Sequence, residues 1–111
     1  MYNVPSDKIL AEIPKLGEQD GEHTRDTMIY LHFFIGGCDW YVAEYDGKDT
    51  FFGYAIINHD LDMAEWGYFS FSELKSLKLS GVFEVDCESR RFFPVQKAVN
   101  IKLIVRGGGI W

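Results

Sequence analysis

Between residues 27 and 70 two glycine-bearing turns and one polar loop cut the chain into segments of strand character, and this pattern limits the possible folds more than any other feature. Residues 27–35 place Ile29, Leu31, Phe33 and Ile35 on one face and Met28, Tyr30, His32 and Phe34 on the other, the two-residue period of a strand. Gly36-Gly37 supplies a tight connection and residues 39–46 return as a second strand, so the pair reads as a hairpin. The turn Asp46-Gly47-Lys48-Asp49 leads to a third strand at 50–57, where Gly53 either weakens the strand or marks a close backbone approach. A polar loop, NHDLDM at 58–63, precedes a fourth strand at 65–70. The order is that of an antiparallel meander, and parallel crossovers are not expected.

Helices fit around this core. Ser6 can cap a short helix carrying Ile9, Leu10 and Ile13 on one face, with Pro14 stopping it. Residues 17–26, GEQDGEHTRD, read as a polar surface loop. Ser70 and Glu73 have capping-box spacing, and Phe69 and Leu74 stand at the positions of a hydrophobic staple. The helix they start is expected to turn Leu74 and Leu77 inward and to end at Gly81. Residues 82–86 read as a fifth strand with Phe83 and Val85 on one face, residues 91–95 as a short extended piece broken by Pro94, and the β-branched run 99–106 as a last strand before Gly107-Gly108-Gly109. The fold class is therefore α+β: a mainly antiparallel sheet of about five strands with two short helices packed on one face. At 111 residues the chain is read as a single domain, residues 1–111.

Charge and composition exclude some functions. A net charge of -6, with no basic cluster denser than Arg90-Arg91, disfavours direct nucleic-acid binding, which needs clustered Lys and Arg against phosphates. No basic leader and no apolar run near the ~20 residues of a membrane span appear, so a cytoplasmic protein without membrane association is expected. Cys38 and Cys87 are then expected to be free thiols. No cofactor or metal is expected. His23, His32 and His59, with Asp60 and Asp62, lack the spacing of a metal site, and His32 in its apolar strand reads as a hydrogen-bonded, partly buried side chain. Cys38 has no evident base beside it, and Ser70 is accounted for by capping.

Three strand segments set an acid beside aromatic residues. In WYVAEYD, residues 40–46, period two puts Glu44 with Trp40 and Val42, and Tyr41, Ala43 and Tyr45 opposite. In EWGYFS, residues 65–70, Glu65 lies with Gly67 and Phe69, and Trp66 with Tyr68. In FEVD, residues 83–86, Glu84 and Asp86 share a face. One reading brings Glu44, Glu65 and Asp86 together with Tyr45, Tyr68, Arg90 or His59, an acid against an aromatic wall being suited to proton transfer. The other makes each acid a turn cap, an acceptor for a tyrosine hydroxyl or a guard on a sheet edge. Nine Phe, six Tyr and three Trp also exceed what so small a core hides, which points to Trp40, Tyr45, Trp66 and Tyr68 as surface anchors.

The order of IPKL (13–16), WYVAEYD (40–46), FFGY (51–54), EWGYFSFSEL (65–74) and FEVD (83–86) resembles the bacterial family called domain of unknown function 2958, over most of residues 8–98. The resemblance implies a small intracellular protein of the kind carried on plasmids and other mobile elements, similar to domains found near DNA-modification and anti-restriction genes, with no activity established. The loop 57–64 departs from that pattern, and residues 99–111 lie beyond it as a C-terminal extension. Together these readings favour a small protein-interaction module associated with mobile-element or DNA-processing systems, with a protein partner, binding through Trp40, Glu44, Tyr45, Asp46, Glu65, Trp66 and Tyr68. The alternative is a metal-independent hydrolase or nuclease with Glu44 or Glu65 as base, His59 as acid and Arg90 or Arg91 stabilising an anion. Oligomeric state is left open.

Overall fold

A computed structural model describes residues 1–111. Its centre is a five-stranded antiparallel sheet in the order β5-β4-β3-β2-β8, formed by β2 (Leu31–Ile35), β3 (Cys38–Tyr45), β4 (Thr50–Ile56), β5 (Glu65–Ser70) and β8 (Asp86–Cys87). Two small pairs complete it: β1 (Met28–Ile29) with β9 (Gln96–Lys97), and β6 (Lys78–Leu79) with β7 (Phe83–Glu84). The helices are α1 (Asp7–Glu12), α2 (Phe71–Ser76) and α3 (Lys102–Arg106), three rather than two, with single 3-10 turns at Thr24–Asp26, Leu61–Met63 and Ala98–Asn100. None of the helices is long and apolar enough to cross a membrane.

The sheet is covered on both faces, where one was expected. On one side Leu31, Phe33, Trp40, Val42 and Phe51 pack with Ile13 after α1 and with Phe71 and Leu74 of α2. On the other, Tyr41, Ala43, Tyr54 and Ile56 pack under Phe93, Ala98, Ile101 and Ile104. The second cover explains why residues 99–106 are not the strand that their β-branched character predicts. Ile101 and Ile104 are three apart, so a helical turn buries both against the sheet; burying such a side chain is worth ~1.5–3 kcal/mol, against a β-propensity scale that spans only ~1 kcal/mol.

Other departures have local causes. Ile29 lies in the second layer while Leu31 lies in the first, because β1 leaves the main sheet to pair with β9 and the alternation breaks at Tyr30. The expected fifth strand is split: Phe83 belongs to the exposed β6-β7 hairpin, Val85 is buried, and Asp86–Cys87 pairs with β2. The helix capped by Ser70, whose hydroxyl accepts the Glu73 N–H, ends at Ser76 instead of near Gly81. Leu77 is extended and 38% exposed, and Gly81 turns the β6-β7 hairpin at φ +70°. Both cysteines are free.

Candidate functional site

Glu44 owes its place to a β-bulge. Val42 pairs with Gly53 and Glu44 with Phe52, so Ala43 is an extra residue in β3 and the strict alternation fails there. Gly53 is required at this point, since a Cβ on it would lie 1.9 Å from the Tyr41 carbonyl oxygen. This is the close backbone approach. As a result Tyr45 joins the layer of Trp40 and Val42, the reverse of its expected face, and Phe52, the register partner of Glu44, packs in the other layer.

Glu44 is 4% exposed. Its two carboxylate oxygens accept the backbone N–H groups of Gly17 and Gln19, each at 2.8 Å. Gln19 in turn accepts the Met28 N–H and donates to the carbonyls of Met28 and Ala43. The polar surface loop is thus tied to β3 and β1 by its first residues.

The remaining expected site residues are dispersed. Trp40 is buried in the first core layer, so it and Glu44 line no surface. Asp46 closes its turn by accepting the N–H groups of Lys48, Asp49 and Thr50, which hold its carboxyl below the usual range. Asp49 is lowered likewise by the hydroxyls of Ser70 and Ser72 and the Ser72 N–H. Tyr45 packs on Phe51, and burial with Asp46 and Asp49 nearby raises its hydroxyl. His59, at φ +58°, donates its N–H to the Gly37 carbonyl and lays its ring over Gly37, joining two turns. Arg90 pairs with Glu12 at 2.9 Å, Arg91 is exposed beside Phe92, and Asp86 accepts the Asn3 amide. Glu65 stands exposed at the start of β5, the opposite edge from β8; four inter-strand steps of ~4.8 Å put roughly 19 Å between those edges. The structure does not bring Glu44, Glu65, His59, Arg90 and Arg91 into one constellation.

His32 is partly buried and hydrogen-bonded, as read. Its Nε2 meets Asp39 Oδ1 and its Nδ1 meets Glu88 Oε1, both at 2.7 Å, an arrangement that suits the imidazolium, in which both nitrogens donate. The ring stacks on Tyr41 at 4.4 Å. Burial first, then Asp39 and Glu88, raises the Tyr41 hydroxyl; burial and the flanking acids push the Cys87 thiol up to about 12. With both ring nitrogens taken, the His32 cluster ties β2, β3 and the β8 exit together, while the Cys87 thiol lies in the opposite core layer.

What the structure does assemble is an aromatic face on β4 and β5. Phe52 lies 6.0 Å from Trp66 in near-parallel planes and 5.1 Å from Tyr68, which is 71% exposed. The cover formed by residues 93–110 reaches Trp66, whose indole N–H donates to the Gly109 carbonyl, and stops short of Tyr68. Beyond Trp66 a groove of about 210 Å³ runs between this face and the Glu44-anchored loop, with Asp20, Glu22 and Trp111 on its walls. Trp111 is held by Thr24, whose hydroxyl accepts its N–H at 2.7 Å and donates to its carbonyl. Trp66 and Tyr68 were legible from period two; Phe52, Asp20, Glu22 and Trp111 were missed. The acids of GEQDGEH were the one available signal.

The edges of the sheet differ. β8 is flanked by Tyr2, which forms a parallel bridge to Asp86 and exchanges hydrogen bonds with Val85 and Cys87. β5 has no strand beyond it. Apart from Glu65 it carries no charge, and a Cβ at Gly67 would meet nothing within 4 Å.

A family model described as Protein of unknown function (DUF2958) matches residues 6–102, a span that takes in the start of α3. No curated protein and no solved structure matches the chain.

Proposed function

The chain belongs to the DUF2958 family of proteins of unknown function, and from that premise we propose that it is a small protein-interaction module that takes an extended segment of a partner protein along β5. The observation that carries the reading is the coincidence of an open edge with an aromatic face that the tail leaves partly uncovered: Tyr68 stands exposed where the cover ends, against the half-buried ring of Phe52. Unpaired backbone groups on an edge strand are a template for another strand, and alternate side chains of the added strand find their pockets on the flanking face. Exposed tyrosine and tryptophan serve as anchors in such contacts. A partner drawn from DNA-processing systems of mobile elements fits the same reading.

The test replaces Tyr68 with a photo-crosslinking phenylalanine analogue in the native host, with Phe92, equally exposed and away from β5, as control. One discrete adduct at position 68 and none at 92 is expected. The purified partner should then bind Tyr68→Ser at least tenfold more weakly than wild type, about 1.4 kcal/mol. Equal adducts at both positions, no adduct at 68, or unchanged binding by Tyr68→Ser overturns the proposal.

A further inference from the structure

The groove beside the aromatic face has a particular chemistry. Its rings are Phe52, Trp66 and Trp111, the last 75% exposed, and its charged groups are Asp20 and Glu22; no lysine or arginine lines it. Its neutral donors are largely spent: the Trp66 indole on Gly109, the Thr24 hydroxyl on Trp111 and the Gln19 amide on Met28 and Ala43. What faces an incoming group is therefore π surface and two exposed carboxylates without protein partners. Such a lining repels anions and offers a hydrogen-bond acceptor little, while a cation gains from both parts, through the ring quadrupole within ~6 Å and through the carboxylates.

Size narrows the choice. An open groove of about 210 Å³ has room for a long side chain entering from its mouth. We infer that the groove is the specificity pocket of the module, receiving one arginine or lysine side chain of the partner segment that lies along β5. The inference rests on the proposed function and adds the charge of the residue recognised. An acidic chain of net charge -6 is also complementary to a basic partner as a whole.

Acetylated, amidated alanine pentapeptides with a central arginine, lysine, glutamine or glutamate serve as probes, followed by ¹H–¹⁵N NMR of the full chain. The three tryptophans give separate indole signals: Trp66 and Trp111 report the groove, and buried Trp40 reports the fold. The arginine and lysine peptides are expected to shift the Trp66 and Trp111 indoles and the amides of residues 20–22 in a saturable way, at least tenfold more tightly than the glutamine peptide, with no shift from the glutamate peptide. The double variant Asp20→Asn, Glu22→Gln should weaken arginine binding at least tenfold with the Trp40 signal unchanged, and Trp111→Ala should weaken it at least threefold. Equal binding of arginine and glutamine peptides, shifts centred away from the groove, absence of binding by every peptide, or a double variant that binds as wild type overturns the inference. Binding of all four peptides along the amides of β5 removes the cation specificity and leaves the module standing. Cation binding in the groove without a crosslinked partner at position 68 does the reverse.

Discussion

Replacing Glu44 by Gln keeps the side chain's shape and changes one acceptor oxygen into a donor. In the wild type both oxygens accept backbone N–H groups at 2.8 Å in a site that is 4% exposed. After the change, the N–H of either Gly17 or Gln19 faces an NH₂ group and has no acceptor. A hydrogen bond to a charged group is worth ~1.5–3 kcal/mol, and an unsatisfied buried donor costs ~1–3 kcal/mol, with some relief because a charge no longer has to be desolvated. The net expected loss is about 2–3 kcal/mol, which for a domain of this size lowers the melting temperature by roughly 8–12 °C. Urea denaturation should show a lower midpoint with an unchanged slope, because the surface exposed on unfolding is the same. Hydrogen exchange adds the local reading: the Gly17 and Gln19 amides should lose protection beyond the global change, while amides in β2 follow the global change alone. A loss under about 0.5 kcal/mol, or exchange at Gly17 and Gln19 that merely tracks global stability, would refute the view that this carboxylate anchors the loop.

Gly53→Ala should fail to give a stable fold, with a loss above about 4 kcal/mol judged by soluble yield and thermal unfolding, since the new methyl would sit 1.9 Å from a backbone oxygen that the ladder holds in place. A soluble variant melting near wild type would show that the bulge can shift. Acid unfolding carries a signature of Asp46 and Asp49, whose folded pKa values are lowered. The unfolded chain binds protons at these sites more readily, so their stabilisation is present above the ordinary carboxylate value and is lost as pH falls through their lowered values. A variant with Asp46→Asn and Asp49→Asn should flatten the stability profile in that window; an unchanged profile would assign acid sensitivity elsewhere.

The strands of the meander and the cap at Ser70 were legible because each rests on a signal confined to a few residues: alternation, a glycine turn, a serine three before a glutamate. The faces of Trp40 to Ala43 were legible too, but those of Glu44 and Tyr45 were not, because a bulge moves every later side chain to the other side and its cause, Gly53 against the Tyr41 carbonyl, lies on a neighbouring strand. Glu44 illustrates both halves. The question of a carboxylate among aromatics could be posed from WYVAEYD, but its answer depends on N–H groups 25 and 27 residues earlier in the chain. The tail was misread for a related reason, since β-branched residues favour a strand until a sheet face offers two of them a helical turn's worth of burial.

The same loop that hides Glu44 decides the shape of the groove. Glu44 and Gln19 fix it from below, and Thr24 fixes Trp111 to its far end across 87 residues of sequence. Asp20 and Glu22 lie between these two fixed points; their backbone N–H groups donate to the Gly17 and Gln19 carbonyls, and their carboxylates take no protein partner. The backbone beneath the acids is therefore held rigid while the carboxylates stay free, which is the division that recognition requires: donors and acceptors that build the site are consumed within it, and those left over face outward. By this logic the bulge, the buried glutamate and the bare carboxylates form one construction. Loosening Glu44 should blur the discrimination between arginine and glutamine peptides before it abolishes folding.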